Sequence, residues 1–199
     1  MTRDFGRNLT RERIAQLAAK LMARDGIEDY ALAKRKAARQ AGVTESSQLP
    51  NNGEIEAALR SYRELYQHQH PVQLQELRQL ALEVMDELAD FNPHLTGSVL
   101  NGNAGQFAGI HLQLFTDNNK GIEHYLLNRG IEFRCDEVRL YAGERAFVAP
   151  VLLFERDDVE IRVTLLSLHD QRVQLKINAN GRPIERARRN VVAGLIAAS

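Results

Sequence analysis

The sequence predicts an α+β protein, with a helical N-terminal region followed by a mixed β-sheet of four to five strands and packed helices. Three observations carry this expectation. Up to about residue 90, apolar residues recur three and four apart, the period of an amphipathic helix. From Phe91 onward they alternate in twos, the period of a strand with one buried face. Residues 159–168 show that alternation best: Val159, Ile161, Val163 and Leu165 line one face, and Glu160, Arg162 and Thr164 the other.

Residues 1–9 carry no stripe and are expected to fray. Thr10 is placed to cap a first helix, with Arg13 rather than an acid at the third position. Ile14, Leu17, Ala18, Leu21 and Met22 form its stripe, and Gly26 stops it. Asp29 caps a second helix that runs to Ala41. Asn51 or Asn52 caps a third, with Ile55, Ala58, Leu59, Tyr62, Leu65 and Tyr66 on its apolar side. Pro71 ends it and suits the first turn of a fourth helix, over residues 72–90, with Leu74, Leu77, Ala81, Val84 and Leu88 on one face. The two long helices are expected to form a hairpin against the sheet. His68 and His70 are spaced two apart, which on a helix does not bring them together, so they are read as a loop pair.

The second half begins with a short strand over residues 94–96. Residues 110–115 form the next, with Ile110, Leu112 and Leu114 facing the core and His111 and Gln113 the opposite, chemically available face. Residues 117–119, Asp117 foremost, cap a helix that lasts until Gly130. Residues 131–135 and 137–141 are one bent strand or a hairpin. Residues 147–155 are a strand whose Pro150 asks for an edge or a bulge. After a turn at Asn180-Gly181, a last helix over 183–198 is expected to dock through Ile184, Ala187, Val191 and Leu195. Arg182, Arg186, Arg188 and Arg189 form a basic cluster expected to face solvent. The expected divisions are 1–71, 72–170 and 171–199.

The stretch HLTGSVLNGNAGQFAGIHLQLFTD, residues 94–117, resembles the signature of the nucleotidyltransferase superfamily (the polymerase-beta-like minimal fold), written GSxxxGxAxxxSDxDL. Gly97-Ser98 match its opening pair, Gly102 and Ala104 its small residues, and Leu112 its closing apolar residue. Ala108 stands where the family has Ser, Gly109 where it has the first carboxylate and His111 where it has the second. The resemblance implies the fold of that family over about residues 72–170, with Glu160 at the place of a third carboxylate. Two carboxylates at i and i+2 on a strand can share a pair of Mg²⁺ ions; glycine offers no ligand, and imidazole suits softer metals.

The resemblance therefore implies a nucleotidyltransferase-like protein without the paired acids and without the chemistry. It would hold a nucleotide or other phosphate through Gly97, Ser98 and Arg162, or serve a partner, and need no cofactor. An alternative is an active enzyme with a rearranged Mg²⁺ site built on Glu160 and His111. Each residue also has a plain reading: His111 as a half-exposed strand residue, Ser98 as a turn closer, Glu160 and Arg162 as an exposed pair.

A third reading comes from the opening helices. Residues 13–43 resemble a helix-turn-helix of the TetR type, and Lys34, Arg35, Lys36 and Arg39 could meet nucleic acid. Residues 1–42 hold ten Lys/Arg against five Asp/Glu, which makes this region locally basic. Pro50, Asn51, Asn52 and Gly53 interrupt the place of a recognition helix, which favours a solvated basic face. Across the whole chain, 26 Lys/Arg balance 26 Asp/Glu, so no global attraction to nucleic acid or anionic membrane follows. One cysteine, Cys135, excludes an internal disulfide and is read as structural. With no apolar run of spanning length and no apolar centre near the N-terminus, a cytoplasmic setting without membrane contact is expected.

Overall fold

The computed structural model describes residues 2–25, 27, 29–43, 49–66, 69–105, 107–179 and 181–198. The chain forms two compact units. One holds residues 1–73 and 103–108, the other residues 74–102 and 109–199. The class is α+β. No described helix is long and apolar enough to cross a membrane.

The first unit is built on α1 (Thr2–Asp25), α2 (Tyr30–Gln40) and α3 (Asn52–Tyr66). Its core is alanine-rich: Ile14, Ala15, Ala18, Ala19, Met22 and Ala23 of α1 meet Ala33 and Ala37 of α2 and Ile55 and Leu59 of α3. Small side chains on facing helices let the backbones approach closely, so α1 packs along both neighbours. Helix α1 starts well before Thr10, which lies inside it rather than at its cap. The expected caps of the other two hold. Asp29 accepts the Ala31 N–H at 2.7 Å. Asn51 accepts the Glu54 N–H at 2.9 Å, Glu54 accepts the Asn51 N–H in return, and Arg11 pairs with Glu54 at 2.9 Å. Leu65 and Tyr66 of α3 are exposed, so its apolar stripe is buried only over its first turns. The expected stop at Gly26, His68 and residues 44–48, the place of a recognition helix, lie outside the described residues.

The second unit carries most of α4 (His70–Glu87), then β1 (Pro93–Thr96), α5 (Gly97–Asn101), β2 (Ile110–Phe115), α6 (Asn119–Asn128), β3 (Phe133–Ala142), β4 (Arg145–Arg156), β5 (Val159–Leu166), β6 (Leu175–Lys176), β7 (Arg186–Ala187) and α7 (Arg189–Ala197). The sheet has seven strands in the order β6-β3-β4-β5-β2-β1-β7. That is more than the four to five expected. The additions β6 and β7 are two residues long, too short for alternation to show in the sequence. Pairing is antiparallel except between β2 and β5, which run parallel in register from Ile110↔Ile161 to Phe115↔Leu166. Pro150 fits its place without a bulge. It pairs with Glu137 of β3, and β4 begins to pair with β5 only at Val151.

One face of the sheet presents Leu95, Ile110, Leu112, Leu114, Ile161, Val163 and Leu165, all buried; Ala81, Val84 and Met85 of α4 and Ile122 and Leu126 of α6 are buried as well. The other face carries a smaller apolar cluster at one end: Phe115, Leu140, Ala149, Leu166 and Leu175.

The tail departs most from expectation. The last helix starts at Arg189, because Arg186 and Ala187 pair with Thr96 and Leu95 of β1. Val192, not Val191, is its buried contact. Nor are its arginines simply solvated. Arg189 pairs with Asp86, and Arg186 donates to the carbonyls of Gln171 and Val173 while its guanidinium lies 5.0 Å over the Phe115 ring.

Candidate functional site

The site assembled from the sequence falls within the second unit, where β1, α5, β2 and β5 meet. Thr96 ends β1 opposite His111 of β2, and its hydroxyl donates to the His111 carbonyl at 3.2 Å. The chain then turns through Gly97 at φ 74°, a left-handed conformation that a side chain rarely adopts. A Cβ placed on Gly97 would stand 3.2 Å from His111 Nδ1, so the imidazole lies directly against the turn's backbone. Ser98 follows in the first turn of α5.

Across the parallel pair, His111 stands beside Arg162. Both are half-buried and share a face with Glu160, which is exposed. Glu160 pairs with Arg134 of β3 at 3.5 Å. Such an exposed pair contributes little to stability. Gly97, Ser98, His111, Glu160 and Arg162 are thus on neighbouring elements around one end of the β2–β5 pair.

Gly109 has a physical reason of its own. A Cβ there would fall 2.9 Å from the Glu160 carbonyl oxygen and 3.7 Å from Glu160 Cβ. The β5 backbone fills the space that any side chain at position 109 would need. The donor set is consequently one carboxylate already paired with a guanidinium, one imidazole and a second guanidinium. Mg²⁺ requires several hard oxygen ligands, and this set does not fit it. Among the described residues, no three of His, Cys, Asp and Glu gather where they could hold a metal ion.

The polar face of β2 is less open than its alternation predicts. Gln113 is only 4% exposed and Phe115 1%. Phe115 packs into the apolar cluster with Leu140, Ala149, Leu166 and Leu175, so this face closes beyond His111. The Gln113 Oε1 is buried with no hydrogen-bond partner among the described residues. Asp117 is not the cap of α6. Asn118 takes the Gly121 N–H at 3.0 Å, while Asp117 accepts the Leu168 N–H at 3.3 Å and so ties the end of β2 to the turn after β5. Cys135 is exposed on β3 rather than part of a core.

Two residues that position the site escape the motif. Arg78 of α4 is buried and donates to the Val99 and Leu100 carbonyls at 3.2 and 3.3 Å. A cation on these carbonyls satisfies the open end of a short helix and fixes α5 behind the Gly97 turn. Burial lowers its pKa below the ordinary guanidinium value. Its signal was an arginine in phase with the apolar stripe of α4. His94 of β1 is 4% exposed, donates from Nδ1 to the Asn92 carbonyl at 3.0 Å and meets Phe115 edge to face at 5.0 Å between centroids. Burial pushes its pKa below the ordinary value; the Asn92 hydrogen bond opposes this, and the Arg188 and Arg186 charges reinforce it.

In the first unit, His70 Nε2 donates to the Ala104 carbonyl at 2.8 Å and Arg63 donates to the Asn103 carbonyl at 2.9 Å, which anchors the segment that leads from α5 toward β2. Burial lowers the Arg63 pKa to about 10. Arg35, Lys36 and Arg39 of α2 are exposed, and Lys34 half-buried. No family model, curated protein or solved structure matches this chain.

Proposed function

We propose that this chain is a nucleotidyltransferase-like protein that has lost the paired metal-binding carboxylates, does not transfer nucleotides, and binds a nucleotide or related phosphate without Mg²⁺. The carrying observation is the filled space at position 109, where the Glu160 carbonyl lies 2.9 Å from any added Cβ. An acid there would need the β5 backbone to move. The order strand, Gly-Ser turn, short helix, strand supports the reading, as does a later strand set parallel beside β2. With the acids gone, Arg162 beside His111 turns a cation-holding wall into one suited to an anion, which the Gly97-Ser98 turn can also meet through backbone N–H groups and a hydroxyl.

Thermal unfolding with each of the four ribonucleoside triphosphates, and with inorganic phosphate, tests this. At least one nucleotide should raise the midpoint equally with and without Mg²⁺, and Arg162→Gln should abolish the rise. A flat response to every nucleotide removes the binding claim. A response that appears only with Mg²⁺ favours the alternative of a rearranged metal site.

A further inference from the structure

The outer edge of β3 is the longest unpaired strand edge among the described residues. Its neighbour β6 covers only Tyr141 and Ala142, through Lys176 and Leu175. From Phe133 to Leu140 the outward N–H and C=O groups meet no described strand. Arg134, Cys135, Asp136, Glu137 and Arg139 are exposed along it. Charges on an open edge ordinarily keep other strands away. Here their order matters, because it sets like charges opposite each other in most registers and unlike charges in two.

We propose that this edge pairs antiparallel with β3 of a second copy, with Cys135 on the two-fold axis. The geometry restricts the choice. Two identical edges joined in one continuous sheet are related by an axis normal to the sheet, which keeps each face on its own side. Facing residues must then have the same orientation, so some single residue of β3 faces itself on the axis. Centring on Arg134, Asp136 or Glu137 sets two like charges opposite each other. Centring on Val138 also sets unlike charges opposite each other, Glu137 against the second copy's Arg139. That pairing cannot lengthen past residues 136–140, because β6 already holds Tyr141 and Ala142, whereas centring on Cys135 can lengthen toward residue 131, which no described strand pairs. Centring on Phe133 runs half the pairing off the start of the strand. Centring on Cys135 places Arg134 opposite the second copy's Asp136 and Asp136 opposite its Arg134, and keeps clear of β6. Arg134 already leans on Glu160 of its own chain at 3.5 Å, so its guanidinium would lie between two carboxylates. The dimer would join two seven-stranded sheets edge to edge.

The register makes a covalent prediction. Facing residues of an antiparallel pair lie about 4.5–5.5 Å apart at Cα, within the range a disulfide spans. Mild oxidation of the purified chain with diamide at micromolar concentration should therefore give a cross-linked dimer on a non-reducing gel. Arg134→Asp should reduce the cross-linked fraction roughly tenfold, since it turns two attractive cross-strand pairs repulsive. The exchange Arg134→Asp/Asp136→Arg should restore it. Cys135→Ser should still sediment as a dimer. Cross-linking that is unchanged in Arg134→Asp, or not restored by the exchange, would show random collision of exposed thiols and overturn the register. A monomeric Cys135→Ser chain at all concentrations would overturn the dimer.

Discussion

The two faces of the β2–β5 pair are made by alternate residues of the same two strands in one register, yet they behave differently. On one face Ile110, Leu112, Leu114, Ile161, Val163 and Leu165 are all buried, and no position stands out. On the other, burial is graded. Glu160 is exposed, His111 and Arg162 are half-buried, Gln113 is buried, and Phe115 and Leu166 close the series. The uniform face reflects apolar residues at every alternate position. The graded face reflects a local cover from the far strands and the tail, which seals one end and leaves the other beside the Gly97 turn. Polar residues thus occupy a wedge and not a whole face.

The sharpest way to break this comparison is to truncate neighbouring residues that point in opposite directions. Leu112→Ala removes a fully buried side chain from the uniform face and should cost about 3 kcal/mol. His111→Ala, one residue away, should cost less, about 1 kcal/mol, because the imidazole is only half-buried and little apolar surface is lost. Urea denaturation of both variants measures the difference. Similar costs would mean that the half-buried end is as tightly packed as the core.

Much of the uniform face was legible in the sequence, because strict alternation over 110–115 and 159–166 has one physical meaning in a half-buried sheet. The strand order beside it was not legible, since alternation says nothing about which strand a neighbour is. The graded face was legible at His111, Glu160 and Arg162 but misread at Gln113. Phe115 at the closed end packs with Leu140, Ala149 and Leu175, which lie 25 or more residues away along the chain and announce no partner. The tail was misread for a related reason. Arginines at 182–189 look like a solvated cluster until Arg186 is found pinned to backbone carbonyls. Gly109 read only as a missing acid; the close approach of β5 that explains it is a tertiary fact.

That close approach gives the second test, of intermediate size. Gly109→Ala should destabilise by about 1–3 kcal/mol, because backbone rather than a flexible side chain lies where the methyl must go. Gly109→Asp should cost at least as much and should not acquire Mg²⁺ binding by titration calorimetry. A stable Gly109→Asp variant that binds Mg²⁺ would show that the space can be reopened, and would remove the main support for a site without metal.

The smallest expected effect concerns the sealed end, where His94 lies under Phe115 and near two arginines. Its pKa is held below the ordinary 6.5, chiefly by burial. Between that lower value and 6.5, the unfolded chain binds a proton that the folded chain does not. Acid in this window therefore favours unfolding. Stability should be level in this respect above about pH 6.5, should fall as the pH drops toward the folded value, and should level off below it. The informative quantity is a difference between two chains. The fall in urea midpoint below pH 6.5 should be steeper for the native chain than for His94→Gln, which carries no titrating ring. Equal slopes would mean that water reaches the imidazole and that this end of the wall is open.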